Sequence, residues 1–175
     1  NLHKTISSYV AEMIGMTDQM RESTLLFNQI IEGNNHKLAN DPTKPTKVPL
    51  AKAEVPFIDF SSIQNALVQL DQSTNSLSEG LSKGTMAKSA LEGINQALYR
   101  AEQSLLTEQG LPRRPWYKHT LYAPGFYTGY GVKTMPGIRE AIEQRDWKEA
   151  QQQINIAANA IGKLAEHLKA TSMLA

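Results

Sequence analysis

The chain has 175 residues, with 18 basic and 17 acidic side chains and no cysteine. A net charge of +1 gives the whole molecule no attraction to nucleic acid or acidic lipid, and the lack of thiols excludes disulfides and thiolate metal sites. The length fits one domain, or one domain with a fragment of another. No apolar run reaches transmembrane length, so the sequence predicts no membrane segment.

The first forty residues carry apolar side chains at helical spacings, from Ile6 to Ile31. They predict one long helix, or two helices joined near residues 15–16. Residues 41–54 contain prolines and lysines without periodicity, which indicates an exposed linker. We therefore divide the chain into a helical segment at 1–40, which fits the tail of a preceding domain, a linker at 41–54 and a helical domain at 55–175.

Two amphipathic helices are predicted next. Apolar residues alternate in steps of four and three from Ile63 to Leu81, and Ser61 with Gln64 has the spacing of a capping box. A second apolar stripe runs from Ala87 to Leu105, and its small alanines permit close helix packing.

The last part of the chain predicts a short helix and a long one. Pro136 suits the first turn of a helix that ends at Glu143, and Asp146 with Glu149 has the spacing of a further cap. No alternating strand pattern is visible. The predicted fold is therefore all-α: an antiparallel, up-and-down four-helix bundle with a long irregular loop before the final helices. The final helix is expected to bury Ala150, Ile154, Ala157, Ile161, Leu164 and Leu168.

Residues 110–139, here called the basic loop, differ from every other segment. They hold four of the eight prolines, five of the eleven glycines and four of the six tyrosines. Loops of this length are generally functional or disordered, and the aromatic content argues against disorder. The loop contains no acidic residue, and its cations are Arg113, Arg114, Lys118, Lys133 and Arg139.

No catalytic or metal-binding motif is present in the sequence. The four histidines lie far apart, and the chain has no HExxH, GxSxG or phosphate-binding P-loop pattern. The acidic residues are scattered over predicted helix faces, where solvation or pairing explains them. We therefore predict no catalytic residue, no metal ligand and no enzymatic activity for this chain alone.

The basic loop admits three interpretations. Trp116, Tyr117, Tyr122 and Phe126 form a small satellite core that caps the bundle, or the arginines and tyrosines form an anion-binding edge, or the loop is a partner surface. Binding of single-stranded nucleic acid would use similar residues, but the rest of the chain offers no basic groove.

Several segments of the loop resemble a known family signature. They are GLPRRPWYKH at residues 110–119, LYAP at 121–124, Tyr130 and PGI at 136–138. They are similar to the transferrin receptor-like dimerisation domain, the C-terminal domain of glutamate carboxypeptidase II-type zinc peptidases and of transferrin receptors. The family pattern runs approximately GLPxRPxYRHxxYAP and then KYxGxxxPGIxDA. The segment VPFIDF at 55–60 is similar to the family's LPFDF, so the resemblance covers residues 55–168.

The resemblance implies a non-catalytic module that pairs with a second copy and forms one wall of the substrate pocket of a zinc-dependent glutamate carboxypeptidase-like exopeptidase. In the family a Lys-Tyr pair in this loop recognises the terminal glutamate of the peptide. The tyrosine corresponds to Tyr130, but Gly129 stands at the lysine position, and Lys133 is the nearest substitute. The remaining expected loop anchors or interface residues are Arg113, Arg114, Trp116, Tyr117 and Tyr122.

The resemblance also implies partners and a location. The expected partners are a second copy, the chain's own peptidase lobe and a peptide, without nucleic acid, and the expected compartment is periplasmic or secreted. Zinc is expected in the missing lobe and no cofactor in this chain. His3 and the KLAN segment at 37–40 occupy places comparable to the family's last zinc-ligand histidine and its RLAN segment, but we expect no metal on His3 here.

The alternative hypothesis is an independent helical binding module. In that case the basic aromatic loop holds an anionic ligand or single-stranded nucleic acid, and binding falls steeply as salt is added.

Overall fold

The computed structural model describes residues 2–33, 49–83 and 86–175, and over those residues the chain is mostly helical, as the all-α prediction requires. The predicted KLAN segment at 37–40 and residues 41–48 of the predicted linker lie outside the described residues. None of the described helices is both long and apolar enough to cross a bilayer. The helices are α1 (Leu2–Glu32), α2 (Ser61–Ser82), α3 (Lys88–Arg100), a 3-10 helix (Ala101–Leu105), α4 (Pro136–Glu143) and α5 (Trp147–Ser172).

The chain divides into two compact units. One comprises Asn1–Met13 with Ile58–Ala175, and the other comprises Ile14–Phe57. Helix α1 is continuous, so the predicted alternative of a break near residues 15–16 does not occur. Within the second unit, the Asn28 side chain accepts from the backbone N–H of Lys52 and donates to its carbonyl, both at 2.8 Å. The predicted domain boundaries remain predictions.

Helix α5 supplies more buried apolar residues than any other element of the first unit. Its predicted inward face is buried as expected, and Ile154, Ile161 and Leu164 are fully enclosed. Helix α2 runs in the same direction as α5, because Ser62 bonds to Asn155 near the two starts and Gly80 lies beside Ala175 near the two ends.

Helix α3 runs opposite to α5. The His167 ring donates to the carbonyl of Ala97 at 2.7 Å, and the earlier residue Gly93 of α3 lies near Leu174, further along the chain from His167. Direction therefore alternates from α2 to α3 to α5.

The structure confirms one of the two predicted helix caps and contradicts the other. Asp146 caps α5 as predicted, since its Oδ1 accepts the backbone N–H of Glu149 at 2.9 Å. The capping box at Ser61 is wrong: Ser61 is the first helical residue, and the oxygen that its N–H meets belongs to Asp59, at 2.8 Å. The backbone of Asp59 is itself held by Gln151 of α5, so tertiary contacts fix this entry.

The predicted apolar stripe from Ala87 to Leu105 is only partly buried. Helix α3 buries Ile94 alone, while Leu91 and Leu98 are 43% and 39% exposed. The chain tightens into a 3-10 helix after Arg100, which changes the angular spacing of the stripe and turns Leu105 into the core.

The sequence shows no alternating strand pattern, but the structure adds one small two-stranded sheet to the helices. Strands β1 (Tyr122–Pro124) and β2 (Val132–Thr134) pair antiparallel inside the basic loop, with Ala123 opposite Lys133. Each strand has three residues, which is too short to show a period of two in the sequence.

Candidate functional site

The basic loop contains a shaped hairpin, which we define as residues 122–134: β1, a turn at 125–131 and β2. The Gly125 N–H donates to Gly131 O at 2.8 Å, and the Gly129 N–H donates to Gly125 O at 3.1 Å. Gly129 has φ +65°, a left-handed conformation that side chains other than glycine rarely adopt. The turn therefore presents Tyr130 at its tip, with its side chain fully exposed.

A buried ion pair holds the entry to the turn. Arg114 and Glu140 are each 3% exposed, and Arg114 Nη2 donates to Glu140 Oε1 at 2.7 Å. The same carboxylate oxygen accepts the backbone N–H of Phe126 at 2.9 Å, while Arg114 Nη1 donates to the carbonyl of Pro124. The pair thus fixes the backbone on both sides of Gly125 to helix α4.

Three other loop cations are also paired with acids from outside the loop. Arg113 forms two hydrogen bonds with Glu149 of α5, at 2.7 and 3.0 Å, which raise the pKa of Arg113. The two remaining pairs are Lys133 with Glu143 of α4 and Arg139 with Glu12 of α1, both at 2.5 Å.

These ion pairs reduce the positive charge that the basic loop can present to a ligand. Four of its five cations are neutralised, and Lys118 alone has no ion pair within the described part of the chain. The free positive charge that an anion-binding edge requires is therefore small. The sequence shows five cations and no acid in the loop, which indicates that acidic partners must come from elsewhere. It does not identify which acidic residues pair with these cations.

The interpretation of the loop aromatics as a satellite core is wrong. Trp116 is 71% exposed, and Tyr117, Tyr122 and Phe126 are 37–45% exposed. The large apolar side chains that are buried in the loop are instead non-aromatic. They are Leu111, Leu121, Met135 and Ile138, and the small Ala123 is buried with them.

The side chains of Glu102, His119 and Tyr122 meet at the base of the hairpin. The His119 and Tyr122 rings stack with centroids 3.9 Å apart, and the Tyr122 hydroxyl donates to Glu102, which raises the pKa of Tyr122. His119 Nδ1 accepts the backbone N–H of Leu121 at 3.2 Å, so the neutral ring carries its proton on Nε2, which faces Glu102 Oε1 at 3.5 Å. Burial lowers the pKa of His119 below its ordinary 6.5, although the Glu102 charge opposes the shift.

We expect this histidine to make the domain less stable in acid. Because the pKa of His119 is lower in the folded state, the unfolded chain binds more protons below about pH 6.5. The stability that depends on neutral His119 is fully present above pH 6.5. It is lost as the pH falls through the pKa of His119 in the folded state. Urea unfolding at several pH values should show a smaller acid loss for His119→Gln than for the wild type. Equal pH dependence in both proteins would contradict the assignment.

The two predicted substrate-contact residues are close in sequence but differently placed. Tyr130 is free at the tip, whereas Lys133 is 17% exposed and its ammonium is held by Glu143. The aliphatic stem of Lys133 passes close to Gly125, where an added Cβ would lie 3.1 Å from Lys133 Cε. The structure therefore does not bring the Lys133 charge to the tip beside Tyr130.

His3 is also engaged within the first unit. Its Nδ1 lies 3.2 Å from Asp71 Oδ1, and its Nε2 lies 3.2 Å from Ser7 Oγ. Over residues 2–33, 49–83 and 86–175, no three His, Asp or Glu side chains come together as a possible metal site.

Most of the chain matches the sequence model of a known family. Residues 58–169 match the sequence model of the transferrin receptor-like dimerisation domain. The chain belongs to this family. The match includes α2, α3, α4, the basic loop, both strands and α5 up to residue 169, so the hairpin is part of the transferrin receptor-like dimerisation domain rather than an addition to it.

Curated relatives are peptidase-like proteins that are much longer than this chain. A probable glutamate carboxypeptidase of Arabidopsis thaliana is 34% identical over 117 residues, which are 59% of this chain and 16% of the relative. A probable glutamate carboxypeptidase of Arthroderma benhamiae is 31% identical over 115 residues, or 64% of this chain and 16% of the relative. An inactive zinc metalloprotease of Schizosaccharomyces pombe is 34% identical over 79 residues, or 45% and 10%. The matched segment is thus a small part of each relative.

Proposed function

We propose that this chain is the homodimerisation and substrate-pocket-lining module of a zinc-dependent glutamate carboxypeptidase-like exopeptidase. The match of residues 58–169 to the dimerisation family is the observation that carries the proposal, and the names of the relatives support a peptidase parent. In this proposal the chain itself is not catalytic, zinc is held by the peptidase lobe, and the protein is periplasmic or secreted.

We further propose that the helices of the chain form an up-and-down four-helix bundle whose outer face binds a second copy. Supporting this, Leu91 and Leu98 on α3 follow the spacing of core residues but remain 43% and 39% exposed. Tyr99 beside them is 87% exposed. Apolar side chains in this position favour burial against a partner, and a two-fold axis lets one patch serve both copies.

The hairpin is the proposed wall of the substrate pocket. It is held to the domain by the buried pair of Arg114 and Glu140, and it presents Tyr130 fully exposed. A rigid support with an exposed phenol suits contact with a peptide in the adjoining lobe. The alternative, an independent module for anions or single-stranded nucleic acid, gains no support from a loop whose cations are mostly paired.

Sedimentation equilibrium of the purified chain and of its full-length parent tests the dimer. We expect dimers at micromolar concentration, weakened about tenfold or more by Leu91→Glu with Leu98→Glu, since charge would be placed at the centre of the contact. Val68→Glu on α2, another exposed apolar position at 56%, is the control for added charge and is expected to have little effect. Monomeric behaviour of both chain and parent at high micromolar concentration would overturn the proposal.

A further inference from the structure

Three side chains form a hydrogen-bonded ring where the hairpin joins the rest of the first unit. Glu12 Oε1 of α1 lies 2.5 Å from Arg139 Nη2 of α4, and the Thr134 hydroxyl of β2 donates to Glu12 Oε2 at 2.8 Å. Arg139 in turn donates to Thr134, from Nη2 to Oγ1 at 2.7 Å and from Nε to the backbone carbonyl at 3.1 Å. We call Glu12, Thr134 and Arg139 the α1 clamp, because they join β2 and α4 to α1.

Charge and geometry both hold the α1 clamp together. The hydrogen bonds from Arg139 and from Thr134 lower the pKa of Glu12, although burial opposes the shift, so the carboxylate is ionised at neutral pH. Both of its oxygens are engaged, one by each partner. The guanidinium of Arg139 is planar, so bonds to a carboxylate and to a hydroxyl at the same time fix its orientation.

The α1 clamp lies at the joint between the hairpin and α4. Met135 is the single residue between the end of β2 at Thr134 and the start of α4 at Pro136, and its φ of +47° is in the left-handed region. Tyr130 at the tip is four residues before Thr134, or roughly 13 Å away along an extended strand. A rotation of about 10° at this joint would therefore move the tip by roughly 2 Å.

The first part of α1 is a fixed reference for this joint. It buries Ile6, Val10 and Met13, which are 0–3% exposed, within the first unit. His3 adds a contact with Asp71 of α2 at 3.2 Å. The buried ion pair described above holds the entry to the turn on α4, whereas the α1 clamp also holds the end of β2 on α1.

We propose that Glu12 and Arg139 are positioning residues: together with Thr134 they fix the direction in which the hairpin leaves the domain. The inference rests on the proposed pocket-lining function and names the residues that hold the pocket wall in place. Neither Glu12 nor Arg139 touches the peptide, since both act through β2. A wall that moves by an ångström or two binds its peptide less well, so the clamp matters for substrate binding.

Spin labels can measure the direction of the hairpin, because the chain has no cysteine of its own. Labels at Ser8→Cys on α1 and Val132→Cys on β2, both exposed positions, report the distance between the two elements by pulsed electron paramagnetic resonance. Arg139→Ala should broaden the distance distribution about twofold or more, because two of the three sides of the ring are lost. Thr134→Val removes a single hydroxyl and is the second variant if Arg139→Ala does not fold.

Matched variants separate this effect from a general loss of structure. Arg21→Ala removes another ion pair of α1, that with Asp18 at 2.6 Å, and should leave the distance distribution unchanged. Glu12→Arg combined with Arg139→Glu reverses the pair and should restore most of the wild-type width. Unchanged widths in both Arg139→Ala and Thr134→Val would overturn the positioning role.

Kinetics of the full-length protein separate this inference from the proposed function. With a short peptide that ends in glutamate, Arg139→Ala should raise KM about tenfold and leave kcat within about twofold, because a loose wall weakens binding rather than chemistry. If the protein binds the peptide without cleavage, Kd replaces KM. Broader distances with an unchanged KM would overturn the pocket-lining function and leave the positioning role, whereas unchanged distances would overturn the positioning role alone.

Discussion

Replacement of Arg114 by alanine is expected to destabilise the domain by about 3–5 kcal/mol. Arg114 and Glu140 are each 3% exposed, so removal of the guanidinium leaves a buried carboxylate without its cation. The Pro124 carbonyl loses a donor at the same time. Since the free energy of unfolding of small domains is only about 5–15 kcal/mol, this loss would be a large fraction of it. Urea unfolding, followed by circular dichroism, measures the loss.

The neighbouring arginine supplies a matched control. Arg113 pairs with Glu149 at the surface, with side-chain exposures of 36% and 18%, so Arg113→Ala should cost about 1 kcal/mol or less. A second variant, Arg114→Met with Glu140→Leu, should recover most of the lost stability because no buried charge is left unpaired. Equal losses for Arg113→Ala and Arg114→Ala would contradict the assigned burial.

Gly110→Ala is expected to cost roughly 2 to 5 kcal/mol, for two reasons that act together. Gly110 has φ +65°, which strains any side chain. In addition, a Cβ there would lie 2.6 Å from the carbonyl carbon of Pro115, and a backbone atom cannot rotate out of the way. The turn that carries Arg114 must then shift.

Gly129→Ala separates the two causes. Gly129 has the same φ of +65°, but nothing lies within 4 Å of its added Cβ. Its substitution should therefore cost only the backbone strain, about 1–2 kcal/mol. Thermal or urea unfolding of the two variants gives the difference, and a Gly129→Ala loss as large as that of Gly110→Ala would show that the Pro115 contact is not important.

The long helices could be predicted because their signals are local. The inward face of α5, the cap at Asp146 and the start of α4 at Pro136 depend on residues within one or two turns of each other. The family signature in the basic loop was also readable, and the match over residues 58–169 confirms it. Local periodicity and short motifs therefore fixed the helical class and the family.

Other features depend on contacts between distant residues. Nothing near Arg114 in the sequence identifies Glu140 as its partner, and the four acids that neutralise the loop come from three different helices. The exposure of Leu91 and Leu98 and the change to a 3-10 helix after Arg100 are likewise not visible in the periodicity of the sequence. The roles of Tyr130 and Lys133 as substrate contacts remain predictions.

The order of charges along the chain has a consequence for how the molecule is made. A ribosome delivers Arg113, Arg114 and Lys133 before it delivers Glu140, Glu143 and Glu149, the acids that neutralise them. While the loop is being synthesised, its cations therefore have no native partners among those three residues. We expect the hairpin to become ordered only after α4 and the start of α5 have left the exit tunnel, so a nascent chain that ends before residue 140 should hold an unstructured, positively charged loop.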